Sequence, residues 1–222
     1  MKADYWLNHW QAGKIGFHQK RVNSRLMRLW PELEASTDGA VLVPLCGKTL
    51  DMVWLHQAGY RVVGVELSQT AIESFFTENN FEYTLQSTAN AQVYVGTGHA
   101  SGISLLQADL FNLKATDVGP ISSFYDRASL VAMPPNLRAT YAESLQRLVP
   151  VGSPGLLISM TYDQQRMQGP PFSVNDEEVR TLLGSGFDLT EIDYSEGPEI
   201  LGNLADRGLD TLVERVYQLR RR

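Results

Sequence analysis

Cys46 is the one cysteine in the 222 residues, so no internal disulfide framework is available. The four histidines, His9, His18, His56 and His99, show no pair at zinc-ligand spacing, and no catalytic metal is expected. No apolar run approaches the ~20 residues a helix needs to cross a bilayer. No signal peptide is read at the start, so the expected compartment is the cytoplasm. Positive charge is short as well. Nineteen Lys and Arg stand against 25 Asp and Glu, and the pI is about 5.2, which argues against nucleic acid or an anionic membrane as partner. The only basic run, Arg220-Arg221-Arg222, reads as a solvated tail. Repeats, low-complexity tracts and linkers are missing too. What remains is 43% hydrophobic and 20% charged, enough to bury one α/β core, and a single domain is expected over residues 1–222.

The most informative stretch is VLVPLCGKTLDMVWLHQAGYRVVGVELS, Val41 to Ser68. It reads as strand, tight loop, helix and second strand, the unit with which α/β folds hold an adenosine-bearing cofactor. The apolar run Ala40 to Val43 suits a buried parallel strand, and Gly47 lets the backbone turn into a helix carrying Val53, Trp54 and Leu55. Glu66 ends the second strand about 20 residues beyond Leu45, where an acidic group accepts from two ribose hydroxyls. A generic core unit with a surface Glu is the plainer alternative. Gly47-Lys48-Thr49 resembles the tail of a P-loop, but Leu42 stands where that motif needs glycine. G-x-G-x-x-G is missing too, which disfavours a pyrophosphate cradle and with it an NAD-dependent oxidoreductase. A ribose acceptor without a phosphate cradle points to S-adenosylmethionine.

Further along, Met1 to Gly13 and Gln19 to Leu33 are helix candidates, the second interrupted by Pro31. Gln69 to Glu78 reads as a helix capped by Ser68, and Asn136 to Val149 as one introduced by Pro134-Pro135. Val93 to Val95 and Ile103 to Leu106 look like strands of an inserted hairpin. Ser122 to Tyr125, Leu156 to Thr161, Phe187 to Tyr194 and Leu212 to Leu219 are the later strands. Together they suit a seven-stranded, mostly parallel sheet whose last pair forms a hairpin. Ligands of such sheets lie over the carboxyl ends of the strands. That rule selects Leu45-Cys46-Gly47, Glu66, Asp109 and Asp126-Arg127. Asp109 is placed to accept from an adenine amino group with Leu110 and Phe111 beside the ring, or to cap a short helix.

The strings VPLCGKTLDMVWL, GVELS, FYDRASLVAM and GPPFSV, with the opening YWLNHWQAGKIGFHQ, resemble the thiopurine S-methyltransferase family in the order expected. The likeness runs from Tyr5 to Leu219, and the lack of a long N-terminal extension resembles the bacterial branch. The resemblance implies a class I S-adenosylmethionine-dependent methyltransferase (Rossmann-like), with a helical lid over residues 1–36 and a core over 40–222. It implies cofactor contacts at Trp10, Leu45, Glu66 and Arg127, and further ones at Trp6, Phe17, Gly47 and Leu110. Trp6 and Trp10, at i and i+4, would by themselves read as core packing. The family likeness makes them part of the lid, with a Trp near the sulfonium.

The reaction implied is attack of an acceptor sulfur on the methyl of a sulfonium, with S-adenosyl-L-homocysteine as product and alignment as the main demand. Arg127 is expected to favour an anionic acceptor, with Asp126 holding it; a purely structural ion pair is the alternative. The acceptor pocket is expected from Phe17, His18, Gly169, Pro170, Pro171 and Phe172, residues that a plain turn would also explain. Ala128 and Arg207 depart from vertebrate relatives, which carry Gly and Trp there. The expectation is a monomeric detoxification enzyme for aromatic and heterocyclic thiols such as thiopurines. Selenium or tellurium species are alternative acceptors, and a non-catalytic adenosyl-ligand sensor is the competing class.

Overall fold

The computed structural model describes residues 3–222. In chain order the elements are α1 (Ala3–Gln11), α2 (Ser24–Leu29), β1 (Ala40–Pro44), α3 (Asp51–Gln57), β2 (Arg61–Glu66), α4 (Gln69–Glu78), β3 (Glu82–Ser87), β4 (Gln92–Thr97), β5 (Ile103–Gln107), α5 (Ala115–Val118), β6 (Ile121–Arg127), α6 (Pro135–Leu148), β7 (Pro154–Thr161), α7 (Asp176–Leu183), β8 (Phe187–Gly197) and β9 (Leu212–Arg221).

All strands join one nine-stranded sheet in the order β3-β4-β5-β2-β1-β6-β7-β9-β8. The run from β5 to β8 is the anticipated seven-stranded unit: β5, β2, β1, β6 and β7 are parallel neighbours, and β9 is antiparallel to both β7 and β8. The expected count of seven is corrected to nine by β3 and β4, which extend the sheet at one edge. The expected hairpin forms, since β4 pairs antiparallel with β5, but it is not a separate insertion: β5 also pairs parallel with β2, and β3 adds a further antiparallel strand outside β4. β3 is exposed along most of its length, and in EYTLQS only Tyr83 and Leu85 alternate with polar residues, a pattern too short to announce a strand.

Alternation along each buried strand divides the core between the two faces. Leu42, Phe124 and Leu157 pack with α6 and α7 through Tyr141, Leu145, Val179 and Leu183. Val41, Val43, Tyr125 and Ile158 pack with α2, α3 and α4 through Leu26, Met52, Leu55 and Phe75. Gly64 on β2 makes the second face close: a Cβ there would stand 2.5 Å from Leu105 and 2.7 Å from the Cys46 sulfur. The loop after β1 can therefore lie directly on the sheet.

The N-terminal helices are shorter than their apolar spacing predicts. α1 stops at Gln11, and the part of that candidate over Met1 and Lys2 lies outside the described residues. In the second candidate the helix begins only after Asn23, whose side chain accepts from the Arg25 and Leu26 amides. That is an N-cap, and it outweighs an apolar stripe running through it. Pro31 then falls in the first turn of a 3-10 segment, Trp30–Leu33, which buries Trp30 and Leu33. Ser68 caps α4 as expected, accepting from Ala71 N.

Candidate functional site

β1 and β2 end side by side, and two residues of the connecting loop adopt left-handed backbone, Leu45 (φ 45°) and Gly47 (φ 52°). The loop is held to β2 by Cys46 N–H donating to Val65 O (3.0 Å). Glu66 closes the arrangement. Its Oε2 accepts from Gly47 N–H (2.9 Å) and its Oε1 from Ser68 N–H (2.7 Å). The carboxylate is only 6% exposed. Burial raises its pKa, and the amide bonds pull the other way. A carboxylate oxygen has two lone pairs, so each retains acceptor capacity for a hydroxyl from the cavity that Glu66 lines.

That cavity measures about 710 Å³ and spans the carboxyl ends of β1, β2, β5 and β6. Its size is in the range of clefts that enclose ligands. Of the expected cofactor residues, Trp6, Trp10, Phe17, Leu45, Gly47, Glu66, Asp109, Leu110 and Arg127 all line it. Asp109 is also the N-cap of the short turn Leu110–Asn112, accepting from Phe111 N–H at 3.0 Å, so both roles weighed for it are compatible. Phe17 stands edge-on to Trp6 (5.6 Å) and to Trp10 (5.5 Å). Cys46 is buried in the loop, which pushes its thiol pKa well up and away from nucleophilic chemistry.

At the other end Phe17, His18, Pro170 and Pro171 line the cavity as anticipated. Gly169 and Phe172 do not: the Phe172 ring packs back against Gly169 and lies 5.9 Å from the Arg138 guanidinium carbon. The His18 pKa is lowered, first by burial and then by Lys48.

The structure does not bring Asp126 and Arg127 together. Neighbouring residues of a strand face opposite sides of the sheet. Asp126 is fully buried, accepting from Tyr141 Oη (2.7 Å) and Leu130 N–H (3.2 Å). Arg127 lies in the cavity, and the carboxylate beside it is Asp51 on α3, at 3.8 Å. The proposed holding of Arg127 by Asp126 is therefore corrected: Asp126 is a core group, and the charge partner of Arg127 is Asp51.

Burial raises the Asp126 pKa to about 6. A carboxyl with a raised folded-state pKa contributes stability that is present below the unfolded value and lost as pH rises through the folded one. The wild type therefore loses on the order of 2 kcal/mol from this group between pH 4.5 and 7.5. Asp126→Asn has no such loss, so its stability relative to wild type should improve by that amount over the interval. Urea unfolding at the two pH values checks this; an equal difference at both would remove Asp126 as the cause.

Several cavity residues have no signal in the sequence. Asp51 reads as an acid at a helix start, and Tyr125 as core. Asn203 and Leu204 come from the 3-10 segment Gly202–Arg207 between β8 and β9, which also brings in Arg207, one of the two positions at which the family likeness already marks a departure. Asn203 Nδ2–H donates to Gly16 O (2.6 Å), tying that wall to the N-terminal segment. Among the described residues no group of three or more His, Cys, Asp or Glu side chains gathers to hold a metal ion, and no helix is long and apolar enough to cross a membrane.

Comparison with known proteins agrees with this geometry. The family model for thiopurine S-methyltransferase matches residues 1–222. A thiopurine S-methyltransferase of Azotobacter vinelandii is 42% identical over 225 residues, covering 100% of each chain. One from Pseudomonas syringae pv. syringae is 40% identical over 221 residues, covering 100% of this chain and 99% of the relative. Among solved structures, the fold is similar to the 1,6-didemethyltoxoflavin-N1-methyltransferase of Burkholderia thailandensis, which holds S-adenosylhomocysteine. The TM-score is 0.62 at 15% identity, over 97% of this chain and 86% of that one. The N-methyltransferase NodS of Bradyrhizobium japonicum, also with S-adenosylhomocysteine, gives 0.60 at 15% identity, over 88% and 84%.

Proposed function

Since this chain belongs to the thiopurine S-methyltransferase family, we propose that it transfers a methyl group from S-adenosylmethionine to the sulfur of aromatic and heterocyclic thiols. The observation that carries this reading is the buried Glu66 carboxylate, fixed by two backbone amides at the strand end and facing a cavity that Arg127 also lines. When bound, the cofactor supplies an electrophilic methyl on a sulfonium, a leaving group that needs no protonation.

The protein's part is alignment and exclusion of water. Glu66 accepts from the ribose hydroxyls, and the backbone of Leu45 and Gly47 lies against the nucleoside. Asp109 and Leu110 address the adenine. Residues 1–36 act as a lid on the 40–222 core within one domain, with Trp10 and Trp6 over the sulfonium end. Arg127 favours the anionic form of the acceptor by charge. The acceptor lies between Phe17, His18, Pro170 and Pro171, beside Val131, Met133 and Met160, a largely apolar surround suited to a flat ring.

A soft selenium or tellurium nucleophile fits the same surround, and detoxification is the role this chemistry would serve; a cytoplasmic monomer completes the proposal. The deciding experiment supplies methyl-labelled S-adenosylmethionine and 6-mercaptopurine and locates the label. Label on sulfur is the expected result. Cofactor binding without transfer to any thiol, selenium or tellurium acceptor would favour a sensor instead.

A further inference from the structure

An acidic residue in the first turn of a helix ordinarily serves that helix, by its charge or by accepting from the free amides. Asp51 opens α3 but does not bond to its amides. Its carboxylate is 1% exposed, lines the cavity, and gives its oxygens to other parts of the molecule. Oδ1 accepts from the backbone N–H of Asn23 (2.8 Å), and Oδ2 from the hydroxyl of Tyr125 (3.0 Å). Arg127 Nη1 stands 3.8 Å from Oδ2. Tyr125 and Arg127 are two apart on β6 and share a face, while Asn23 is the N-cap at which the N-terminal segment enters α2.

One buried charge thus joins the helix after the cofactor loop, the root of the N-terminal segment and the cationic part of the cavity. An ionised carboxylate held this deep is costly unless donors and a counter-charge compensate it. Here two neutral donors hold it in place, and the guanidinium is attracted at a distance beyond hydrogen bonding. Among the described residues Arg127 makes no side-chain hydrogen bond, so its N–H groups remain available to the cavity.

We propose that Asp51 is a positioning residue for methyl transfer, orienting the Arg127 guanidinium without occupying its donors and coupling that orientation to the seating of Asn23. This rests on the reading above, in which Arg127 faces the reacting groups. If the N-terminal segment lifts, the Asn23 bond breaks and Asp51 is free to turn toward Arg127 and quench it. With the segment seated, the guanidinium is presented to the acceptor.

The test uses the full chain with S-adenosylhomocysteine and two variants. Asp51→Asn removes the charge at nearly constant shape. Tyr125→Phe removes only the hydroxyl, and decides the matter if the first variant does not fold. The Arg127 side-chain Nε–H resonance, assigned through Arg127→Lys, reports its placement without any turnover. It should be resolved in the wild type and shifted and broadened in both variants. Acceptor kcat/KM should fall by about ten- to a hundredfold in Asp51→Asn, the scale expected when a reacting group is misplaced by about 1 Å. It should fall less in Tyr125→Phe, while S-adenosylhomocysteine affinity changes far less in either. An Arg127 resonance and an acceptor kcat/KM that match wild type in the folded variants overturn the proposal, even if Tm drops. A wild type that binds S-adenosylhomocysteine but methylates no acceptor overturns the functional reading alone, and the Arg127 resonance still decides the role of Asp51.

Discussion

Glu66→Ala should lower the affinity for S-adenosylmethionine and S-adenosylhomocysteine by roughly 100- to 1000-fold, the loss expected when two hydrogen bonds to a charged acceptor disappear. The carboxylate is already aimed by Gly47 and Ser68, so no reorganisation is needed before ribose hydroxyls bind. The fold should survive. Burial makes the Glu66 charge a cost to the folded state, as its raised pKa shows, and its removal relieves that cost. The Gly47 amide lies at the cavity, and the space vacated by the Glu66 side chain lets water reach the Ser68 amide as well. Glu66→Gln, with a single acceptor oxygen, should fall between wild type and Ala. Titration calorimetry with S-adenosylhomocysteine, beside circular dichroism to show that the variants are folded, gives the answer. Wild-type affinity in folded Glu66→Ala would sink the ribose assignment.

The half of the cavity that Glu66 anchors was legible because its determinants are local. A buried apolar run, a glycine-bearing turn and an acid at the next strand end lie within Ala40 to Glu66, and local spacing converts directly into geometry. Ser68 is a cap because of its own side chain, so the residue type alone announces it. The other half depends on what sequence separation hides. Asp126 and Arg127 look like a pair because they are adjacent, yet a strand sends them to opposite faces, one toward Tyr141 and the other toward Asp51. Phe172 follows two prolines that do line the cavity, but its ring packs back onto Gly169. The wall from Asn203 to Arg207 has no periodicity and enters the site through tertiary contacts such as Asn203 to Gly16. β3 is hard to read for the reverse reason: pairing with β4 keeps it in the sheet although only Tyr83 on it is partly buried.

Trp10 separates a lid from a piece of core, and the two cofactor forms supply the means. Its ring is 6% exposed, stands edge-on to Phe17, and lies where a Cβ on Gly47 would be 3.0 Å away. Gly47 has the left-handed φ of 52°, so the turn and the close approach of the indole both depend on that missing side chain. Trp10→Ala removes a large buried ring, and truncations of this kind typically cost about 3–5 kcal/mol when the site cannot collapse. A drop in Tm therefore follows from either reading. Ligand discrimination does not. S-adenosylmethionine carries a positive sulfonium and S-adenosylhomocysteine a neutral thioether, so an aromatic face at the sulfur favours the first by up to about 2 kcal/mol when desolvated. Trp10→Ala should thus weaken S-adenosylmethionine binding by roughly tenfold more than S-adenosylhomocysteine binding. Trp10→Phe, with a smaller ring, should keep part of the preference. Equal losses for both ligands would assign Trp10 to packing, and the lid would then be a matter of shape rather than of charge recognition.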